Sequence, residues 1–383
     1  MKRRQTHLSI ILAGTVLSAA WLPDTFAEDA RDWPIFRGNA QLTGTSDATL
    51  ADSLTLAWTF ATGEAVQSSP VISKATVYVG SGNGSLYALN LTDGTKRWSY
   101  EANSPVDAPP LVVNGIVIAG DADGAVHAVD AQTGASKWIY RTGDKIQGSA
   151  NVVRVDGAAP RILVGSYDMK LHCIDLDTGK QIWAFETTNY VNGAPAVTGT
   201  TVAFGGCDGL LHLVDALTGK ENRSIEAGSY IAASVALRDG RAYLGQFDGE
   251  VLCMDLANGN VLWRYAPGER PEPFFAPPAV DAERVILGSR DRSVHCVDRE
   301  TGKQLWTFRT GGQIEGGAVV AGNRIIVGSG DGRLYLLDRA DGRNLWSYEI
   351  GDPIATSPAL AGGFVIVGCD DGNVYAFRNA PNP

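Results

Sequence analysis

Asp298-Arg299-Glu300-Thr301-Gly302-Lys303-Gln304-Leu305-Trp306 closes one unit of a repeat that runs through most of the chain. The Trp of this motif recurs as Trp58, Trp98, Trp138, Trp183, Trp263, Trp306 and Trp346, with Arg223 standing in the fifth place. Successive spacings are 40, 40, 45, 40, 40, 43 and 40 residues. A period of this length predicts a closed ring or a solenoid, in which each unit packs mainly on its neighbours. Regularity also assigns the most conspicuous residues to structure. Function is to be sought where the repeat is broken.

One unit reads as four strands. Pro70-Val71-Ile72 is a short apolar run, and Thr76-Val77-Tyr78-Val79 is rich in β-branched residues. Asn83-Gly84 predicts a tight type I′ hairpin turn before Leu86-Tyr87-Ala88-Leu89. Asp93-Gly94 then turns the chain into Arg97-Trp98-Ser99-Tyr100. The inter-strand turn recurs as Asp-Gly in five further units, with Asp168-Met169 and Asp291-Arg292 as exceptions. First strands begin near Pro70, Pro110, Asn151, Pro195, Val235, Pro278, Val319 and Pro358. The last unit lacks a fourth strand, and Leu56-Ala57-Trp58-Thr59-Phe60 supplies it from the N-terminal side. The expected fold is therefore all-β: an eight-bladed β-propeller of four-stranded antiparallel blades closed by an N-terminal strand.

The chain has 383 residues, 32 basic and 42 acidic. Lys2, Arg3 and Arg4 followed by the apolar run Leu8 to Ala20 read as a secretion signal spanning residues 1–27, cleaved after Thr25-Phe26-Ala27. Its removal takes the formal net charge from −10 to −12. That acidity, with no basic run, argues against nucleic acid. No transmembrane segment is expected in the mature chain, which is read as a monomer made of an N-terminal segment, 28–53, and the propeller, 54–383. The five cysteines are odd in number. Cys173, Cys253 and Cys296 share one repeat position with Ala88 and Ala128, so they read as small buried residues and not as a disulfide framework.

The unit Leu-Tyr-x-Leu-Asp-x-x-Thr-Gly-x-x-x-Trp, seen in Leu334 to Asp338 and in Asp130 to Trp138, resembles the PQQ-enzyme repeat over residues 54–378. Two branches of that family matter. The quinoprotein dehydrogenases bind pyrroloquinoline quinone and calcium on the axis. The BamB-like branch is non-catalytic and serves outer-membrane β-barrel assembly. Chain length and the absence of an adjacent Cys-Cys pair resemble the second branch. Lipidation at a signal-site cysteine is not expected, because the first cysteine is Cys173. Asp32-Trp33-Pro34-Ile35-Phe36-Arg37-Gly38 resembles the Trp-Pro-x-x-Arg-Gly opening of BamB-like propellers, and the sequence leaves both an open axial funnel and one plugged by the segment around Trp33 as alternatives.

The tryptophans are expected between blades, each NH on a neighbouring carbonyl. Arg223 is either a tolerated loss or a partner-facing notch. His127, His172, His212 and His295 occupy one third-strand position. At a strand spacing near 5 Å, equivalent copies on neighbouring blades are too far apart to share a metal, so they read as half-buried interface residues. No nucleophile, zinc or phosphate-loop motif is present. The links from each fourth strand to the next first strand have the form Val/Ile-x-small-small/Pro. Their x residues, Gln67, Asp107, Gln147, Asn192, Ala232, Phe275, Glu315 and Ala355, predict a variable ring at the funnel mouth. The longer link before blade six carries Phe274 and Phe275 between prolines, which reads as a stiff aromatic anchor. The insertion Val155 to Arg161 is expected on the opposite face as a length variation. These readings lead to an exported cell-envelope scaffold that docks a protein or peptide partner and needs no cofactor. The alternatives are an oxidoreductase or sensor binding pyrroloquinoline quinone with calcium, and a glycan-binding module using the funnel amides and Tyr190 or Tyr230.

Overall fold

The computed structural model describes residues 32–154, 157, 159–231 and 233–380. The signal segment, Val155, Asp156 and Ala158 of the blade-three insertion, and Ala232 lie outside the described residues. Eight antiparallel sheets form a propeller, and each counts its strands outward from the axis. Blade one runs from Val71–Ser73 to Lys96–Glu101, and blade seven from Val319–Ala321 to Asn344–Glu349. In blade eight, Leu54–Ala61 pairs with Asn373–Asn379 and supplies the fourth strand. The ring is closed by the N-terminal strand that the repeat count required.

A second device explains the Trp. Every fourth strand has a register break one residue before it; in blade six Gln304 pairs with Val297 but Trp306 with Cys296. The bulge re-aims the indole toward the next blade. There it meets the Asp-x-x-Thr-Gly turn. Trp263 donates its indole N–H to Arg299 O at 2.9 Å, and a Cβ on Gly302 would sit 2.7 Å from its ring. Trp58, Trp98, Trp138, Trp183 and Trp306 make the same bond to the blade that follows. The turn is pre-shaped by its own side chains: Asp298 Oδ1 accepts from the Thr301 N–H and hydroxyl at 2.8 and 2.7 Å. Gly302 sits at φ 69°, where other residues are strained. At Arg223 the guanidinium takes over the indole's task and donates to the carbonyls of Asn258 and Ala257. It is occupied by the neighbouring turn, so it is not a partner-facing notch.

The Asn83-Gly84 turn departs from type I′. Only Gly84 has positive φ, and Ser81 bonds Ser85 while Gly84 N donates to Ser81 O. This is a type I turn followed by one left-handed residue. Met169 and Arg292 take that left-handed place in the two exceptional blades, at φ 68° and 71°.

The histidines are buried more completely than half, at 2–5% exposure. His127 joins Asp121 of its own blade at 2.8 Å and the Tyr100 hydroxyl of the preceding blade at 3.0 Å. His172 and His295 repeat this with Tyr140 and Tyr265. Phe185 replaces the tyrosine before blade four, so His212 turns to Glu221 at 2.7 Å while keeping Asp208 at 2.9 Å. Tyr335 and Tyr375 reach the turn aspartate directly in blades seven and eight. This position anchors a turn to the blade before it. The thiols of Cys173, Cys253, Cys296 and Cys369 are buried and unpaired, and burial pushes the first up to about 12.

The N-terminal segment fills the axis. First strands present an unpaired inner edge to the channel, and this segment pairs with most of them. Ile72 exchanges both backbone bonds with Trp33. The N–H groups of Val112, Val197, Leu237, Val280 and Val320 donate to the carbonyls of Pro34, Ala40, Gln41, Thr43 and Gly44 at 2.7–2.9 Å. Thr45–Ser46 then continues as a parallel fifth strand on blade seven. Left-handed Arg37, Gly38, Leu42 and Gly44 let the chain curl tightly enough to do this.

Two expectations follow. Gly302→Ala is expected to destabilise by roughly 2–4 kcal/mol, since strain at positive φ adds to a clash with Trp263. Gly363→Ala, at φ 80° with open space around it, is expected to cost only about 1 kcal/mol. Denaturant midpoints of the two variants test this, and equal losses would remove the contact from the argument. The second concerns pH. Burial lowers the His212 pKa, but Asp208 and Glu221 outweigh it and the net shift is upward. A raised folded pKa gives stability that is complete below the ordinary histidine range and lost as pH rises through the folded value. His172 shifts downward through burial, so its contribution is lost as pH falls. His212→Gln is therefore expected to flatten the loss of thermal midpoint on the alkaline side of neutrality, and His172→Gln the loss on the acidic side.

Candidate functional site

The links between blades form one face of the ring. Small polar side chains stitch them together: Ser234 Oγ accepts from Ala194 N at 2.8 Å, and Ser357 Oγ from Gly317 N at 2.9 Å. On this frame a cavity of about 980 Å³ opens along the axis. Phe36 of the N-terminal segment lines it, so the funnel has a floor and is not a through-channel. The opposite mouth holds a smaller hollow lined by Asn39, Gln41, Thr43 and Thr45 of the same segment.

Gln67, Asp107, Gln147, Asn192, Phe275, Glu315 and Ala355 all line the axial cavity. The Gln67 amide lies 3.5 Å from Asp370. Gln147 accepts from the Tyr167 hydroxyl at 2.5 Å, and Asn192 lies 3.4 Å from the Cys207 sulfur. Glu315 pairs with Arg290 at 2.8 Å. Burial pushes the carboxyls of Asp107 and Asp370 upward.

Phe274 is not an interface anchor. It is fully buried, edge-on to His295 at 5.4 Å, with its Cβ over Gly245. It occupies the Val/Ile position of the link motif, which in other blades covers the same glycine, as Ile231 covers Gly205 and Val191 covers Gly165. The periodic pattern already held this information: a residue in the Val/Ile place points inward whatever its size. Phe275, at the x position, is half-buried and exposed to the cavity beneath the Arg290 guanidinium, 4.0 Å from its centroid.

A second variable ring was missed in the sequence. The residue before each turn aspartate or asparagine is Gly82, Ala122, Tyr167, Cys207, Phe247, Arg290, Gly330 or Asp370. These positions lie beside the link residues on the same face. With Tyr190 and Tyr230, which precede two of the link motifs, the rings build an aromatic crescent over blades three to six. Tyr167 and Tyr190 stack at 4.7 Å under Lys145. Tyr230, Phe247 and Phe275 follow, each pair at 6.0 Å. Tyr190, Tyr230 and Phe247 are 40%, 52% and 46% exposed. Across the funnel, blades eight, one and two present Asp370, Gln67 and Asp107 instead. The variation is thus organised into two unlike halves.

Among the described residues no group of three His, Cys, Asp or Glu side chains gathers to hold a metal ion. The cavity carboxylates come from blades two, seven and eight, and Glu315 is held by Arg290. This donor set does not fit an axial calcium with a quinone. No helix among the described residues is long and apolar enough to cross a membrane.

No relative among curated sequences matches the chain. Among solved structures, BamB from Moraxella catarrhalis superposes with a TM-score of 0.72 at 20% identity, covering 86% of this chain and 99% of that one. A europium-containing methanol dehydrogenase gives 0.74 at 15% identity, with 92% and 98% covered. The computationally designed Ika8 protein gives 0.74 at 20% identity, with 84% and 99% covered. Identities this low establish a shared fold alone. Family membership rests on the sequence itself, which matches the PQQ-like repeat family described as outer membrane protein assembly factor BamB over residues 47–159, 148–272 and 248–380. The chain belongs to that family.

Proposed function

We propose that this protein is a non-catalytic cell-envelope scaffold that docks a protein or peptide partner on the link face, around the axial funnel. The observation that carries this reading is the aromatic crescent Tyr167–Tyr190 and Tyr230–Phe247–Phe275. Tyr190, Tyr230 and Phe247 are exposed, Tyr167 and Phe275 are half-buried, and the rings touch within each of the two groups. Such surfaces lose little conformational entropy on binding, and aromatic side chains dominate interface energetics. Assistance to outer-membrane β-barrel assembly is the role that family membership supports. Export through residues 1–27, read as a secretion signal, fits it.

The quinone reading is weaker on this donor set. Addition of pyrroloquinoline quinone and calcium to the purified protein is expected to give no saturable heat or absorbance change; a stoichiometric isotherm would restore it.

In-cell crosslinking of the tagged protein, followed by identification of what co-purifies, tests the scaffold. Tyr230→Ala with Phe247→Ala is expected to abolish partner recovery while leaving the thermal midpoint within about 2 °C, because surface truncations cost little stability. Unchanged recovery would sink the crescent as a docking site. Phe274→Ala is expected to behave oppositely. It empties a filled interior site, with a loss of about 3–5 kcal/mol, and removes binding only where the fold itself is lost.

A further inference from the structure

Charge in the axial funnel is sorted by side, as its aromatic rings are. Among the described residues that line it, the cations are Lys145, Arg290 and Arg292, on the link into blade three and on blade six. All three stand on the crescent side, and two are engaged there. Lys145 lies over the Tyr167 ring at 4.1 Å. Arg290 pairs with Glu315 at 2.8 Å while covering Phe275.

The carboxylates on the other side have no such partners. No donor or cation among the described residues reaches the Asp107 carboxylate, and burial alone pushes it upward. The Asp370 carboxylate has the Gln67 amide at 3.5 Å. Burial raises it, and Asp352 and Asp371 add to that. In a ring of eight blades, the link into blade two stands opposite the link into blade six, so Asp107 is set against the Phe275 end of the crescent. Gln67, which reaches Asp370, stands opposite the link that carries Tyr230.

A half-buried carboxylate without a partner loses solvation that its own fold does not return, and a cation from solution recovers it. An anion would meet like charge there. A metal ion would find too few ligands, since no three His, Cys, Asp or Glu side chains gather among the described residues. A small organic cation would leave the rings uncovered. An extended peptide reaches both halves at once. We propose that the funnel takes an extended peptide segment whose lysine or arginine side chains lie against Asp107 and Asp370 and whose apolar side chains lie on the crescent. This occupancy rests on docking at the crescent. Lys145, Arg290 and Arg292 keep cationic side chains away from blades three to six, so the segment crosses the funnel one way round.

Three capped peptides of equal length are titrated into the purified protein at low salt and followed by fluorescence anisotropy. One has two lysines followed by alternating tyrosine and threonine; the others carry glutamine or glutamate in place of lysine. The lysine peptide is expected to bind about tenfold tighter than the glutamine peptide, and the glutamate peptide more weakly than either. Asp107→Asn with Asp370→Asn is expected to abolish this ranking; a lysine preference that survives in the variant overturns the proposal. Should the variant fail to fold, salt decides on the unaltered protein. The gap between lysine and glutamine peptides is expected to close as sodium chloride rises from about 0.05 to about 0.5 M, and a gap that persists overturns the proposal. Equal affinities for all three peptides, all lowered in Tyr230→Ala with Phe247→Ala, overturn the cationic segment and leave docking at the crescent standing. Binding of no peptide, or binding indifferent to the crescent variant, overturns both.

Discussion

The contact between each fourth-strand Trp and the glycine turn of the following blade holds the ring together. An indole laid flat on a glycine gains a large apolar area, and its N–H satisfies a carbonyl that the turn leaves free. Because donor and receiver lie in one nine-residue motif, each unit gives to the next and receives from the one before. The bulge ahead of the Trp makes the geometry possible. Closure follows from the same rule, since Trp58 on the N-terminal strand reaches Leu91 of blade one. Trp346 faces the one blade whose third strand is not followed by such a turn, and it packs on Tyr348 and Phe377 instead.

A ring built this way leaves an axis to be filled. Eight first strands turn backbone N–H groups toward a channel too wide for their own side chains to close. The N-terminal segment meets that demand with its carbonyls, so its register follows from the spacing of the blades. It also divides the axis into a floored funnel on one face and a shallow polar hollow on the other. The ring thereby presents one deep face, and the unlike halves of that face set aromatic rings against carboxylates. An extended partner crossing the funnel would meet both.

The same frame is found in BamB from Moraxella catarrhalis and in a europium-containing methanol dehydrogenase. Here the links carry amides, isolated carboxylates and aromatics on a stiff rim.

Fold and closure were legible in the sequence because they depend on periodic local signals. The eightfold motif, the Asp-Gly turns and the unmatched strand before Trp58 each act within one unit or between neighbours. The ring of link residues was legible for the same reason, and the burial of Phe274 was implied by its place in the Val/Ile position. Three features needed the tertiary structure. The aromatic crescent joins Tyr167, Tyr190, Tyr230 and Phe247 from separate blades, and their adjacency depends on the ring's curvature. Arg223 looked like a gap until its guanidinium was seen on the turn of blade five. Arg37 looked like one letter of an opening motif. Its burial exists only because Gly317, 280 residues away, leaves room for it. A repeat writes its own interfaces into every unit, whereas contacts between a single segment and the whole ring exist only once the ring has closed.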